Sequence, residues 1–244
     1  MKPSGLRQTK AKIKRINALL KKAYGIPKRE RNADLLDVLV QTILSQNTND
    51  RNRDRAYQRL KSKFPRWGDV LDGKREVVVE ALRPGGLARQ KAKRIVDILR
   101  WLRKREGKVS LTFLKRMGEK EIKETLGGLK GIGPKTVHCL LLFGLGKEAF
   151  PVDTHILRVG KRLGFIPQEI DAEKAHSWMG PLVPKGKALS LHINLIRHGR
   201  SICKAKKPEC ADCVLKKECL YFGVVGRPSV PAHRSAFRHA GVAA

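Results

Sequence analysis

The chain has 244 residues, of which 53 are Lys or Arg and 22 are Asp or Glu, giving a formal net charge of +31 at pH 7. Hydrophobic residues make up 41% of it, enough for one or two cores, so the composition excludes a wholly disordered protein. No apolar run approaches the roughly 20 residues that cross a bilayer, and the basic N-terminus lacks the apolar core of a signal peptide. We therefore expect an intracellular protein with no membrane partner. The charge predicts nucleic acid as the partner, because each bound phosphate releases counterions.

Apolar residues recur at helical spacing along most of the chain, and sustained alternation is absent, which predicts an all-α protein. The first predicted helix is basic and covers 7–24. The second covers 34–45, is apolar nearly all round, and stops at the polar run 46–50. Further helices are predicted over 50–63, 75–82, 88–105 and 119–126. Helical segments, a cysteine loop and a tail follow Val152.

Two glycines flank one apolar residue in the segment 129–137, which reads Leu-Lys-Gly-Ile-Gly-Pro-Lys-Thr-Val. Such a tight turn between helices lets the backbone amides of Gly131, Ile132 and Gly133 approach a phosphate. Pro134 can begin the next helix, with Lys135 in its first turn. The pattern therefore predicts a turn that holds one DNA phosphate. A plain helix connector with a solvated Lys135 explains the local spacing equally well, whereas a P-loop is excluded because its pattern is absent.

Four of the five cysteines follow the spacing C-x6-C-x2-C-x5-C, at Cys203, Cys210, Cys213 and Cys219. In a reducing compartment, four thiols this close indicate a metal centre rather than disulfides, and sulfur ligation suits either zinc or an iron–sulfur cluster. Lysines between the cysteines favour contact with phosphates over redox chemistry. Cys139 lies apart on an apolar helix and is predicted to be a buried free thiol.

Three segments together resemble the endonuclease III family of helix-hairpin-helix DNA glycosylases. They are the hairpin, the segment 151–159 (Pro-Val-Asp-Thr-His-Ile-Leu-Arg-Val), and His198-Gly199-Arg200 running into the cysteines. The resemblance covers about residues 30–222 and implies two helical domains with a DNA-binding cleft between them. One would be a six-helix barrel with the helix-hairpin-helix at 28–147. The other would be an iron–sulfur cluster domain formed by 1–27 and 148–222, followed by a disordered tail at 223–244.

The resemblance also implies the chemistry of the site. Lys135 matches the catalytic lysine of the family and Asp153 its catalytic aspartate. A neutral lysine amine can attack the deoxyribose, and a helix N-terminus, nearby cations and desolvation all favour that form. Asp153 would stabilise positive charge on the sugar and move protons, and we also expect it to cap the helix that starts at Thr154. The four cysteines would hold a four-iron four-sulfur cluster rather than zinc.

Such enzymes rotate the damaged nucleotide out of the duplex and fill the gap with a glutamine and an apolar side chain. Leu87 matches the apolar residue. Asn47 aligns with the glutamine, and Gln46 directly precedes it, so either side chain could enter the duplex. With Gly131, Ile132, Gly133 and Lys135, these are the predicted DNA contacts.

The implied function is that of a bifunctional DNA glycosylase and AP lyase of base excision repair. It would remove oxidised pyrimidines from duplex DNA and cleave 3′ to the abasic site by β-elimination through a Lys135 Schiff base. We expect a monomer that binds double-stranded DNA with damaged bases or abasic sites, in the cytoplasm or, in a prokaryote, at the nucleoid. The alternatives are a related glycosylase for mismatched thymine or uracil, alkylated bases or oxidised guanine, and a non-enzymatic, zinc-stabilised DNA-binding module.

Overall fold

The computed structural model describes residues 3–29 and 33–225, and these residues form helices and no strand, which confirms the all-α prediction. No helix in this part of the chain is long and apolar enough to cross a membrane. The α-helices among the described residues are α1 (Pro3–Tyr24), α2 (Leu35–Leu44), α3 (Asp50–Lys63), α4 (Trp67–Asp72), α5 (Arg75–Leu82), α6 (Ala88–Glu106), α7 (Glu119–Gly127), α8 (Pro134–Cys139), α9 (Thr154–Leu163), α10 (Ala172–Met179), α11 (Ala188–Ser201) and α12 (Leu220–Val225).

The predicted helices match α2, α3, α5, α6 and α7 closely, and α1 begins at Pro3 rather than at residue 7. The short α4 was not predicted, because six residues show too little periodicity; its Trp67 indole donates a hydrogen bond to Asp37. The predicted tail is wrong for residues 223–225, which are helical in α12 because apolar residues continue through this segment. Residues 226–244 lie outside the described residues.

The buried apolar side chains form two clusters. One lies between Leu35 and Ala149 and is built mainly from α2 to α8. The other joins α1 to α9, α10 and α11, so the N-terminal helix packs against elements from the second half of the chain. The helix α1 packs there because the contact buries its apolar face. The two clusters support the predicted domains 28–147 and 1–27 with 148–222, whose bounds remain a prediction.

A π-helical turn, Leu140–Gly144, continues α8 and passes from one cluster to the other. Leu140 and Leu141 belong to the first cluster and Leu142 to the second. A second link is the ion pair between Arg200, in the last turn of α11, and Asp50, at the start of α3. The Arg200 guanidinium lowers the pKa of the Asp50 carboxyl by a side-chain hydrogen bond. The two halves of the molecule are therefore joined by apolar packing and by charge.

Two buried histidines fasten the extended segment that precedes α9. His176 of α10 accepts a hydrogen bond at Nδ1 from the Val152 N–H at 3.2 Å, and the His192 Nδ1–H of α11 donates to the Pro151 carbonyl at 2.9 Å. Burial lowers the pKa of each imidazole to about 4. Both rings are therefore neutral at pH 7, and they fix the backbone that leads into Asp153.

Close packing of α9 gives a prediction for stability. A Cβ added at Gly160 would lie 2.5 Å from Ile166 Cδ1 and 2.8 Å from Phe165 Cε2, both buried, so Gly160→Ala should lower the free energy of unfolding by about 1–3 kcal/mol. A Cβ added at Gly68 of α4 would have no atom within 4 Å, so Gly68→Ala should raise the free energy of unfolding by about 0.5–1 kcal/mol. Urea unfolding monitored by circular dichroism measures both, and equal effects of the two substitutions would contradict the packing argument.

The neutral histidines predict a dependence of stability on pH. An unfolded chain binds protons on these rings below pH 6.5, whereas the folded one binds them only near pH 4. Stability is therefore complete above about pH 6.5 and is lost, by on the order of a few kcal/mol, as the pH falls to about 4. His176→Asn keeps an acceptor at the position of Nδ1 for the Val152 N–H and should weaken this dependence. Thermal melting across this pH range tests the prediction, which fails if wild type and variant show the same slope.

Candidate active site

The hairpin between α7 and α8 has the tight geometry predicted for it. Gly131 has φ +89°, and a Cβ there would also lie 2.0 Å from Arg94 Nε of α6, so both backbone and packing favour glycine. Ile132 is buried, and its N–H donates to the Leu129 carbonyl at 3.0 Å. Gly133 caps α8 and is exposed. The start of α8 therefore faces solvent, with the rest of the turn anchored in the core.

Lys135 and Asp153 act electrostatically on the same two buried groups, Cys139 and His192. Lys135, in the first turn of α8, and Asp153, at the N-terminus of α9, are both half-buried. Burial raises the pKa of the Cys139 thiol to about 12; Lys135 acts against this shift and Asp153 adds to it. The same two charges act in opposite directions on the buried His192. The fold thus places the charges of Lys135 and Asp153 within electrostatic range of both Cys139 and His192. Cys139 is the buried free thiol that was predicted.

Asp153 has a structural task as well. Its Oδ1 accepts a hydrogen bond from the Ile156 N–H at 2.8 Å, which is the expected N-cap of α9. Because the cap fixes the carboxylate, the second oxygen keeps a defined direction. The buried His176, on which the Lys135 charge acts, stacks against the His138 ring of α8 with ring centroids 4.8 Å apart.

Two side chains of the predicted DNA contacts stand on strained, exposed backbone. Asn47 is exposed with φ +52°, and Leu87 is 51% exposed with φ +50°. Left-handed φ is uncommon for residues with a Cβ and often marks functional positions. Gln46, by contrast, is half-buried, and its Oε1 accepts a hydrogen bond from Arg94. Asn47 is therefore the freer of the two neighbouring amides.

The sequence analysis missed two residues of α6, Lys91 and Arg94, that contact the segments before Asn47 and Leu87. Lys91 is 2% exposed, and its Nζ donates to the carbonyls of Leu44 and Gly85, each at 2.8 Å. Arg94 bonds to Gln46 and packs against Gly131. One signal was available for Lys91: it lies one turn before Ile95 on the apolar face of α6. The hydrogen-bond partners of Lys91 could not be predicted from the sequence, because they are backbone carbonyls of other segments.

The four cysteines of the C-terminal loop surround one pocket. Its lining includes Cys203, Cys210, Cys213 and Cys219. The loop is tied to α9, since Arg158 donates to the Cys203 carbonyl and Arg162 to the Lys204 carbonyl. It is also tied to α11 and α1, since His198 lies 3.4 Å from Cys213 Sγ at one ring nitrogen and 3.0 Å from the Tyr24 hydroxyl at the other.

The chemistry of the four thiols indicates which metal centre they could hold. Within residues 3–29 and 33–225, no three His, Cys, Asp or Glu side chains are grouped so that they could hold one metal ion. Burial raises the pKa of the Cys213 thiol to about 11. The donor set consists of sulfur alone, which suits a soft metal centre, either zinc or an iron–sulfur cluster.

Comparison with known proteins identifies the family. Residues 40–184 match the family model described as HhH-GPD superfamily base excision DNA repair protein. An Arabidopsis thaliana protein, whose assignment as a DNA glycosylase is itself provisional, is 39% identical over 71% of this chain; the match spans 59% of that protein, less than two thirds of its length. Endonuclease III of Thermotoga maritima is 31% identical over 84% of this chain and 91% of that enzyme.

A solved structure agrees in fold over nearly the whole molecule. The trapped covalent intermediate of an endonuclease III with DNA superposes with a TM-score of 0.76 at 25% identity, covering 89% of this chain and 99% of that one. The chain therefore belongs to the HhH-GPD superfamily of base excision DNA repair proteins and is an endonuclease III-like DNA glycosylase.

Proposed function

We propose that this glycosylase excises oxidised pyrimidines from duplex DNA and cleaves the strand 3′ to the abasic site, with Lys135 as nucleophile and Asp153 as its acidic partner. The observation that carries the proposal is the placement of these two half-buried charges beside the same buried His192 and Cys139, next to an exposed hairpin. The similar endonuclease III was trapped as a covalent intermediate with DNA, which supports a covalent step here.

In the proposed reaction, the neutral Lys135 amine attacks C1′ of the everted nucleotide. The N–C1′ bond forms as the glycosidic bond breaks, and the base leaves with its bonding electrons and takes up a proton. Opening of the sugar ring gives an iminium, and loss of the C2′ proton then expels the 3′ phosphate as the C3′–O bond breaks. Asp153 stabilises positive charge on the sugar and accepts a proton, roles that suit a carboxylate held by its own helix cap.

The hairpin and the two exposed side chains would place the DNA for this attack. We assign one phosphate to the exposed helix start at Gly133 and the amide of Gly131, since the N–H of the buried Ile132 already donates to the Leu129 carbonyl. Leu87 and Asn47 would fill the gap that the everted nucleotide leaves. Asn47 is assigned rather than Gln46 because Arg94 already engages the Gln46 side chain.

We further propose that the cysteine pocket holds a four-iron four-sulfur cluster through Cys203, Cys210, Cys213 and Cys219. The resemblance to the endonuclease III family favours a cluster over zinc, and the four thiols line one pocket, as either metal centre requires. When bound, the cluster supplies a covalent crosslink for the basic loop. Arg158, Arg162 and His198 already direct that loop onto α9 and α11.

The nucleophile can be tested by trapping the Schiff base. With borohydride and a duplex containing an abasic site, wild type should form a covalent adduct, and Lys135→Ala should reduce its yield by at least about a hundredfold. Lys120→Ala is the control, because Lys120 is an exposed lysine of α7. An unchanged yield for Lys135→Ala would refute the assignment.

The substrate class is tested by excision rates on matched duplexes. The set carries an oxidised pyrimidine, uracil, a thymine mismatched with guanine, an alkylated adenine or oxidised guanine. We expect the oxidised pyrimidine to be released fastest. A faster release of any other base would assign the protein to that substrate class instead.

The metal centre is tested by composition and substitution. Purified protein should contain about four iron ions and four sulfides per chain. Cys213→Ser should lower the iron content and the melting temperature together, since the loop loses a crosslink, while Cys139→Ala should keep the iron. Protein that contains one zinc ion and no iron would contradict the cluster.

A further inference from the structure

We propose that Lys91 is a positioning residue that joins the two DNA-probing loops into one rigid unit. These loops are the Asn47 loop, residues 45–49, and the Leu87 turn, residues 83–87. The proposal rests on the proposed function, in which both side chains enter the duplex. It adds a residue that cannot itself contact DNA, because Lys91 is almost wholly buried.

Lys91 occupies an unusual place for a lysine. It points into the first apolar cluster from the first turn of α6, and no carboxylate pairs with it among residues 3–29 and 33–225. Burial, assisted by the nearby Arg94 charge, lowers the pKa of its amine. A buried amine without an acidic partner is costly, so its hydrogen bonds must be well placed to keep it there.

Its two acceptors are both carbonyls at helix ends. Leu44 is the last residue of α2, and Gly85 is the last residue of the 3₁₀ turn Arg83–Gly85. Carbonyls at such ends lack a partner within the helix and carry partial negative charge. One amine thus caps two helical segments that are far apart in sequence, at 2.8 Å to each oxygen.

Each capped segment leads directly into one probing side chain. Asn47 follows Leu44, Leu87 follows Gly85, and both stand at positive φ. Backbone in this region persists only where its surroundings hold it. Because Lys91 holds the backbone of both segments, a displacement of one loop is transmitted to the other. Arg94 does not do this, since it bonds the side chain of Gln46 in one loop only.

The consequence concerns the step in which the base leaves the duplex. Asn47 and Leu87 would act together on the two sides of the vacated position, so their relative placement sets how well the everted state is held. The chemical step at Lys135 does not involve Lys91. Loss of Lys91 should therefore impair removal of a paired, damaged base far more than cleavage at an abasic site that already lacks a base.

The test compares these two activities in Lys91→Met, which keeps the length and loses the donors. At a temperature well below its melting transition, we expect excision from a lesion duplex to fall roughly ten- to hundredfold, with abasic-site cleavage changed by less than about threefold. Lys93→Met is the matched control, because Lys93 lies on the same helix but is exposed and paired with Asp97. Its two activities should keep the wild-type ratio.

A second measurement separates positioning from stability. Leu87→Ala should slow excision strongly in the wild-type background and only weakly in Lys91→Met, because the loop is already misplaced there. If Lys91→Met fails to fold, Lys91→Gln retains a shorter amide donor without the charge and should shift the ratio of the two activities in the same direction. An unchanged ratio in the folded variant, or additive effects of Leu87→Ala, would overturn the role of Lys91. Wild-type protein lacking both activities would instead refute the proposed function.

Discussion

Side chains that bond to the backbone of segments distant in sequence fix the loops around the candidate active site. Lys91 of α6 binds the ends of α2 and of the turn before Leu87, and the neighbouring Arg94 packs on the hairpin glycine Gly131. On the other side of the site, His176 and His192 hold the segment before Asp153. Loops that carry function need such anchors, because they have no ladder of hydrogen bonds of their own.

Burial of His176 and His192 also determines which groups near the candidate site carry a charge. The chain carries a net charge of +31, yet the imidazoles of His176 and His192 are neutral, since burial keeps their pKa near 4. The charges of Lys135 and Asp153 therefore face neutral imidazoles at His176 and His192, while the Arg200 guanidinium lies within electrostatic range of Asp153. The excess positive charge can attract a polyanion at long range, while the proposed chemistry depends on Lys135 and Asp153.

Much of the fold could be predicted because it is local. In α2, apolar residues on nearly every side marked a buried helix, and in α6 Ile95, Ile98 and Leu99 marked one face. The hairpin at Gly131 and the spacing of the four cysteines were readable for the same reason. The short α4 was not, because six residues carry too few repeats to reveal a period. The sequence predicts a helix from Pro134 through Phe143, but not that its end, Leu140–Gly144, is a π-helical turn.

The sequence by itself determined the helical class, the basic character, and the motifs that hold Lys135, Asp153 and the cysteines, since each depends on residues close together in the chain. Only the tertiary structure decided that Arg94 engages Gln46 while Asn47 stays exposed, and that Lys91 is buried between two helix ends. These outcomes depend on which distant carbonyl or side chain meets a given donor. Helical periodicity follows from backbone hydrogen bonds four residues apart, whereas long-range partners are set by how the helices pack.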